Sequence, residues 1–191
     1  MTRTAVFRRY DKSIAALFAL LTAFFFIAFK NEAFSTWAWE RHQNLLSWYI
    51  RPLFLLPFCY SAYKRSWAGV FATVFLVLTS MFWFPKPDIV NDQVQEFLKL
   101  EIDYLTGSWN LAKILLSSLV PISLAALATA FWKRSLWLGI AVLVFIAVAK
   151  MLWSVIYGGE AGRSILVPAV LGLLICVVLV YRGFRKLERR A

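Results

Sequence analysis

The sequence predicts an all-α, polytopic integral membrane protein with six transmembrane helices and one external amphipathic helix. Three observations carry that expectation. Of 191 residues, 61% are hydrophobic and only 16% are charged, with a mean hydropathy of +0.69, too apolar for an ordinary soluble domain. The apolar residues gather into six runs separated by polar or basic turns. One interval, from Pro85 to Ser108, is long and polar and divides the chain into two apolar halves. Residues 1–191 therefore read as a single membrane domain.

Taken in order, Arg3, Arg8, Arg9 and Lys12 precede an uninterrupted apolar run over about 13–29. It is long enough to span, lacks a clear small-x-small cleavage site and leads into further runs, so it reads as the first span and not as a cleaved leader. The second span, about 45–63, reaches membrane length only if Arg51 is included. Pro52 and Pro57 each remove a helix donor and restrict the residue before them, which predicts a kink or local unwinding beside Arg51. A Lys64-Arg65 turn leads to the third span, about 66–84, which ends in the aromatic cluster Phe82-Trp83-Phe84 expected of an interfacial belt. The fourth span, about 109–132, contains Lys113 and Pro121; after Lys133-Arg134 the fifth, about 135–157, contains Lys150. Gly158 to Gly162 reads as a flexible turn before the sixth span, about 164–181, and a basic tail.

The basic residues set the orientation. The N-terminal segment, both Lys-Arg turns and the tail (Arg182, Arg185, Lys186, Arg189 and Arg190) fall on one side, while Lys30, Arg41, Lys86, Lys99 and Arg163 fall on the other. By the positive-inside rule both termini are cytoplasmic, and the expected location is the cell's inner (plasma) membrane. This placement accounts for the net charge of +11 without nucleic acid as a partner. A weak repeat accompanies it: Pro52 and Pro121 each stand twelve residues before a Lys-Arg-Ser turn, and Trp67, Gly69, Met81 and Trp83 match Trp137, Gly139, Met151 and Trp153.

The polar interval predicts a helix over about 93–106, with Asp92 and Gln95 as a capping pair and Gly107 at its exit. Helical spacing puts Val94, Phe97, Leu98, Ile102 and Leu105 on one face and Asp92, Glu96, Lys99 and Asp103 on the other, as in a surface-lying amphipathic helix. Glu101 falls on the apolar side, where a carboxylate needs a partner or a proton.

Candidate chemistry follows from the three cations inside the predicted spans. Arg51, Lys113 and Lys150 lie roughly 6 to 10 Å in from the outer ends of their helices at 1.5 Å per residue. Each shares a face with polar residues: Asn44 and Ser47, Asn110 and Ser117, Ser154 and Tyr157. A lipid-facing charge at mid-depth costs about 2.5 kcal/mol or more, so these stripes are expected to face a bundle interior or a wet cavity. The expectation is an outward-opening cationic pocket of Arg51, Lys113 and Lys150 with Glu101 as counter-charge, in a small binding or transport component taking an anionic group, a lipid headgroup or small anion. The competing explanation is snorkelling of each side chain to the headgroups alone. Two other function classes stand beside it: a non-catalytic accessory or assembly subunit docking a larger membrane complex through Phe97 and Trp37, and a lipid-modifying enzyme using His42 with Glu40 or Glu101. His42, the single histidine, reads as a neutral loop residue. Cys59 and Cys176 read as packing residues, and no metal-ligand spacing, cofactor motif or catalytic signature occurs. Membrane lipids are the expected partners.

Overall fold

The computed structural model describes residues 3–163 and 166–189, and helices are the regular elements among them. They are α1 (Arg3–Ala28), α2 (Glu32–His42), α3 (Leu45–Leu53), α4 (Leu55–Tyr63), α5 (Trp67–Thr79), α6 (Asp92–Thr106), α7 (Leu111–Trp132), α8 (Leu136–Gly162) and α9 (Leu166–Glu188). Among the described residues four stretches are long and apolar enough to cross a membrane: Arg9–Ala28 of α1, all of α7 and α8, and Leu166–Leu187 of α9. They mark the chain as a multi-pass membrane protein.

The expected second and third spans are built from shorter pieces. Residues 45–63 form α3 and α4 with a break at Phe54, because Pro52 and Pro57 cannot donate and the Phe54 N–H turns back to Arg51 O at 3.1 Å. Across the break the Cys176 Sγ–H of α9 donates to Pro52 O at 3.1 Å, and a Cβ on Gly172 would overlap the Pro52 ring. The missing side chain of Gly172 thus lets α9 approach the broken helix and hold it. Cys59 and Cys176 are both buried free thiols. After α5 the chain tightens into a 3-10 turn over Ser80–Phe82, so this apolar unit is shorter than the four membrane-length helices.

Three local expectations are corrected. The outer loop expected over 30–43 contains α2, started by Asn31, whose side chain accepts from Phe34 N at 3.0 Å, and followed by a second Asn cap, Asn44, at α3. At α6 the cap is Asn91, accepting from Gln93 N at 2.9 Å and Val94 N at 3.4 Å; Asp92 is already inside the helix, where its charge favours the N-terminal dipole. The glycine run after residue 157 is not a free turn. Helix α8 reverses sharply at Gly159, at φ +50°, and folds back so that Gly162 lies against the Ser154 carbonyl.

The Lys-Arg turns share one geometry. In each, the arginine takes the left-handed conformation (φ +56° at Arg65, +58° at Arg134) and closes the preceding helix. Ser66 N bonds Ser61 O and Arg65 N bonds Ala62 O; Ser135 N bonds Ala130 O and Arg134 N bonds Phe131 O. Each arginine reaches the other hairpin. Arg65 Nε donates to Trp132 O at 3.3 Å, and the Arg134 guanidinium lies 5.1 Å over the Tyr63 ring, the residue that precedes its own turn as Trp132 precedes the other.

The same end collects the start of α1 and the end of α9. Asp11 accepts from Ser66 Oγ at 2.6 Å, Trp67 N at 2.9 Å and Ala68 N at 3.3 Å, capping α5 from another helix, a contact of about 1 kcal/mol by analogy with N-caps. Phe184 of α9 packs on Tyr63 and Phe131 at 4.8 and 4.7 Å, inside the main core of Phe58, Leu127, Leu143 and Val180. At the opposite end, a second cluster of Trp48, Val94, Phe97, Leu98 and Ala161 seats α6 on α3 and α8.

Candidate functional site

Helix α6 is amphipathic as its spacing predicts, but its apolar face is covered by the protein itself. Val94, Phe97 and Leu98 are buried, Ile102 is half-buried, and Leu105 at the far end is exposed. Phe97, only 2% exposed, rests on Trp48 (5.9 Å) and near Trp153 (6.5 Å), and Gly158 leaves the space its ring occupies. Each such burial stabilises the seating of α6 by roughly 1.5–3 kcal/mol. Phe97 therefore cannot serve as a docking residue, whereas Trp37 is 39% exposed, with Arg41 4.3 Å over its ring. An open depression of about 640 Å³ lies beside Trp37, bounded by Asn31, Glu32 and Glu40.

Seating that face carries Glu101 inward. Its partner is Lys150 of α8, with Nζ 3.0 Å from Oε1; the side chains are 21% and 46% exposed respectively. The ammonium also lies 4.6 Å from the Trp153 ring and 5.6 Å from that of Phe97. The carboxylate that the sequence left in need of a partner thus has one from a helix forty-nine residues away.

Arg51 joins the group from α3. It is half-buried, Glu101 attracts it through space, and its Nε is buried without a hydrogen-bond partner among the described residues. The hydroxyl of Ser154, one turn along α8 from Lys150, is likewise buried and unpartnered. Charge is not balanced here: one carboxylate faces an ammonium and a guanidinium. Buried donors without acceptors cost about 1–3 kcal/mol each.

His42, expected to be a neutral loop residue, stands instead at the end of α2 and is 3% exposed. Its Nδ1 lies 2.9 Å from Ser47 Oγ, its ring lies 5.9 Å from both Trp39 and Trp48, and its carbonyl accepts from Trp48 Nε1 at 2.9 Å. Burial first, and then the positive charges of Arg51 and Lys150, hold the imidazole well below its ordinary value of 6.5. Its burial is not legible in the sequence because α2 has no clear apolar periodicity, and without α2 nothing in the sequence brings residue 42 inward.

Lys113 is employed differently. It is 8% exposed, and Nζ donates to Gly107 O at 2.9 Å and Ser108 O at 3.5 Å, while the Trp109 and Tyr104 rings lie 4.5 and 5.0 Å away. It neutralises the carbonyl end of α6. Tyr104, bonded to Ser117 Oγ at 3.1 Å and 5.5 Å from the Trp153 ring, stands between Lys113 and Lys150. Of the four expected site residues, then, Lys150 and Glu101 form an ion pair, Arg51 feels the charge of Glu101 from α3, and Lys113 binds the carbonyl end of α6. Among the described residues no group of three or more His, Cys, Asp or Glu side chains could hold a metal ion. No family model, no curated protein and no solved structure matches this chain.

Proposed function

We propose that the chain is a small inner-membrane binding or transport component whose site takes an anionic group, a lipid headgroup or a small anion, between Arg51 and Lys150. Glu101 is the counter-charge of the empty site, and Lys113 keeps α6 closed above it. The observation that carries this reading is the buried Arg51 Nε, without a hydrogen-bond partner among the described residues, together with a Lys150 whose charge is already met by Glu101. An anion of single charge completes both the hydrogen bonding and the charge balance.

The topology that goes with it has six passes: α1, the α3–α4 pair, α5 with its 3-10 turn, α7, α8 and α9. Both termini and the Lys-Arg turns lie in the cytoplasm and α6 lies outside. Support comes from the gathering of Asp11, both basic turns and Phe184 at one end of the bundle, with α6 at the other.

The test is a double-mutant cycle of Arg51→Gln and Glu101→Gln in nanodiscs, reading unfolding free energy and retained anionic lipid together. A coupling of about 0.5–3 kcal/mol is expected, with lipid lost in Arg51→Gln. Additive stabilities with lipid content unchanged would remove the site. A second reading, an accessory subunit docking a larger membrane protein, is favoured by exposed Trp37 and the depression beside it. A stoichiometric partner crosslinked from position 37 would support that reading, and anion binding by the isolated chain would argue against its being the whole role.

A further inference from the structure

The hydrogen bonds around His42 determine which of its nitrogens carries the proton. Ser47 Oγ donates its single hydrogen to Asn44 O at 2.8 Å, so it can only accept from the imidazole. Nδ1 is therefore the N–H, donating to Ser47 at 2.9 Å, and Nε2 is left with a lone pair. Nδ1 makes the ring's only hydrogen bond among the described residues. Ser47 is one turn before Arg51 on the same face of α3, and Trp48, 5.9 Å from the imidazole, packs at 5.9 Å on Phe97, whose ring Lys150 Nζ approaches to 5.6 Å. A base is thus held, neutral, at the edge of a cluster with one positive charge in excess.

Resting on the anion site proposed above, we propose that His42 Nε2 accepts a hydrogen bond from the bound anion itself, so that the site takes a monoprotonated phosphomonoester group in preference to a phosphodiester. Three requirements meet in that ligand. Arg51 and Lys150 call for a negative charge, and the excess of one calls for a monoanion. The lone pair at Nε2 calls for an O–H. A protonated carboxylic acid supplies the hydrogen without the charge, a carboxylate or a diester the charge without the hydrogen. A singly protonated phosphomonoester supplies both.

The pH dependence follows from the groups that face the ring: Arg51 from α3, Lys150 from α8 and, through them, Glu101 from α6. On its own helix, Glu40 is held by Lys86 at 2.9 Å and Arg41 lies over Trp37. A phosphomonoester dianion takes up one proton near pH 6 and becomes the monoanion, while His42, held below its usual range, stays neutral there. Preference for the monoester should therefore grow as pH falls from about 8 to about 6.

The test compares two soluble probes, methyl phosphate and dimethyl phosphate, on the intact chain in phosphatidylcholine nanodiscs at about pH 6. A second arm compares retention of phosphatidic acid with that of phosphatidylglycerol, a lipid monoester with a diester. The monoester is expected to bind at least about tenfold better, the increment of one charge-assisted hydrogen bond. His42→Phe, which keeps a ring between Trp39 and Trp48, should abolish the ratio; His42→Gln, which keeps an acceptor, should retain much of it. Arg51→Gln should weaken both probes and leave the ratio standing. Selectivity in the soluble arm assigns free phosphomonoesters, selectivity confined to the lipid arm assigns a headgroup, and either supports the proposal. Equal binding of monoester and diester overturns the role of His42 while leaving the anion site intact. Binding of neither class in either arm overturns both.

Discussion

Phe97→Ala is expected to cost about 3–5 kcal/mol in unfolding free energy, the range for removing a buried aromatic side chain from a packed position. Phe97 stands where three elements meet: Trp48 of α3 at 5.9 Å, Trp153 of α8 at 6.5 Å, and the bare Cα of Gly158. Neither tryptophan can close the gap, because Trp48 is tied to His42 O and Trp153 is stacked on Tyr157 at 5.4 Å. The cavity should persist and α6 should loosen as a unit. Hydrogen exchange provides the check. Amides of α6 from Val94 to Leu105 should lose protection in Phe97→Ala, while those of α7 and α9 in the main core keep theirs. Glu101 rides on the same helix one turn later, so anion retention should fall as well. A loss under about 1 kcal/mol with α6 protection unchanged would mean that lipid or another contact, not this cluster, holds the helix.

How far the sequence revealed this arrangement depends on the range of the forces involved. The external helix was readable because its polar and apolar faces separate at helical spacing, and Glu101 stood out because a carboxylate on the wrong face has a definite cost. Its partner was not readable, since Lys150 meets it only when α6 folds onto α8. The break at Phe54 follows from two prolines five residues apart and was expected; the exchange of arginines between the Lys-Arg turns depends on the side-by-side packing of α4 and α7. Similar depth in the predicted spans and polar neighbours on each helical face suggested that three cations would converge. For Lys113 the nearer acceptors decide otherwise: the carbonyls ending α6 lie only five and six residues before it, within reach of its own side chain. His42 shows the opposite failure. Its environment comes from α2, whose sequence has two capping asparagines around it but no amphipathic stripe, so the helix and the burial it causes were both missed.

Gly162→Ala is expected to lower stability by at least about 3 kcal/mol, because the atom added has nowhere to go. A Cβ on Gly162 would overlap the carbonyl of Ser154, and that carbonyl is main chain inside α8, so no rotamer change can relieve the contact. Relief requires the fold-back after Gly159 to swing away. Ala161, buried in the Trp48 and Phe97 cluster, would be drawn out with it. The effect should therefore reach the site: tryptophan emission should shift red and anion retention should fall, although no charged group is altered. Gly183→Ala is the matched control. Its Cβ would meet nothing within 4 Å, and it lies within α9, where alanine is favoured over glycine by roughly 0.5–1 kcal/mol. The two substitutions add the same methyl group and should move the unfolding midpoint in opposite directions. If Gly162→Ala were as stable as Gly183→Ala, α8 would not return upon itself at Gly159, and Ser154, Ala161 and Phe97 would not share one enclosure beside Lys150.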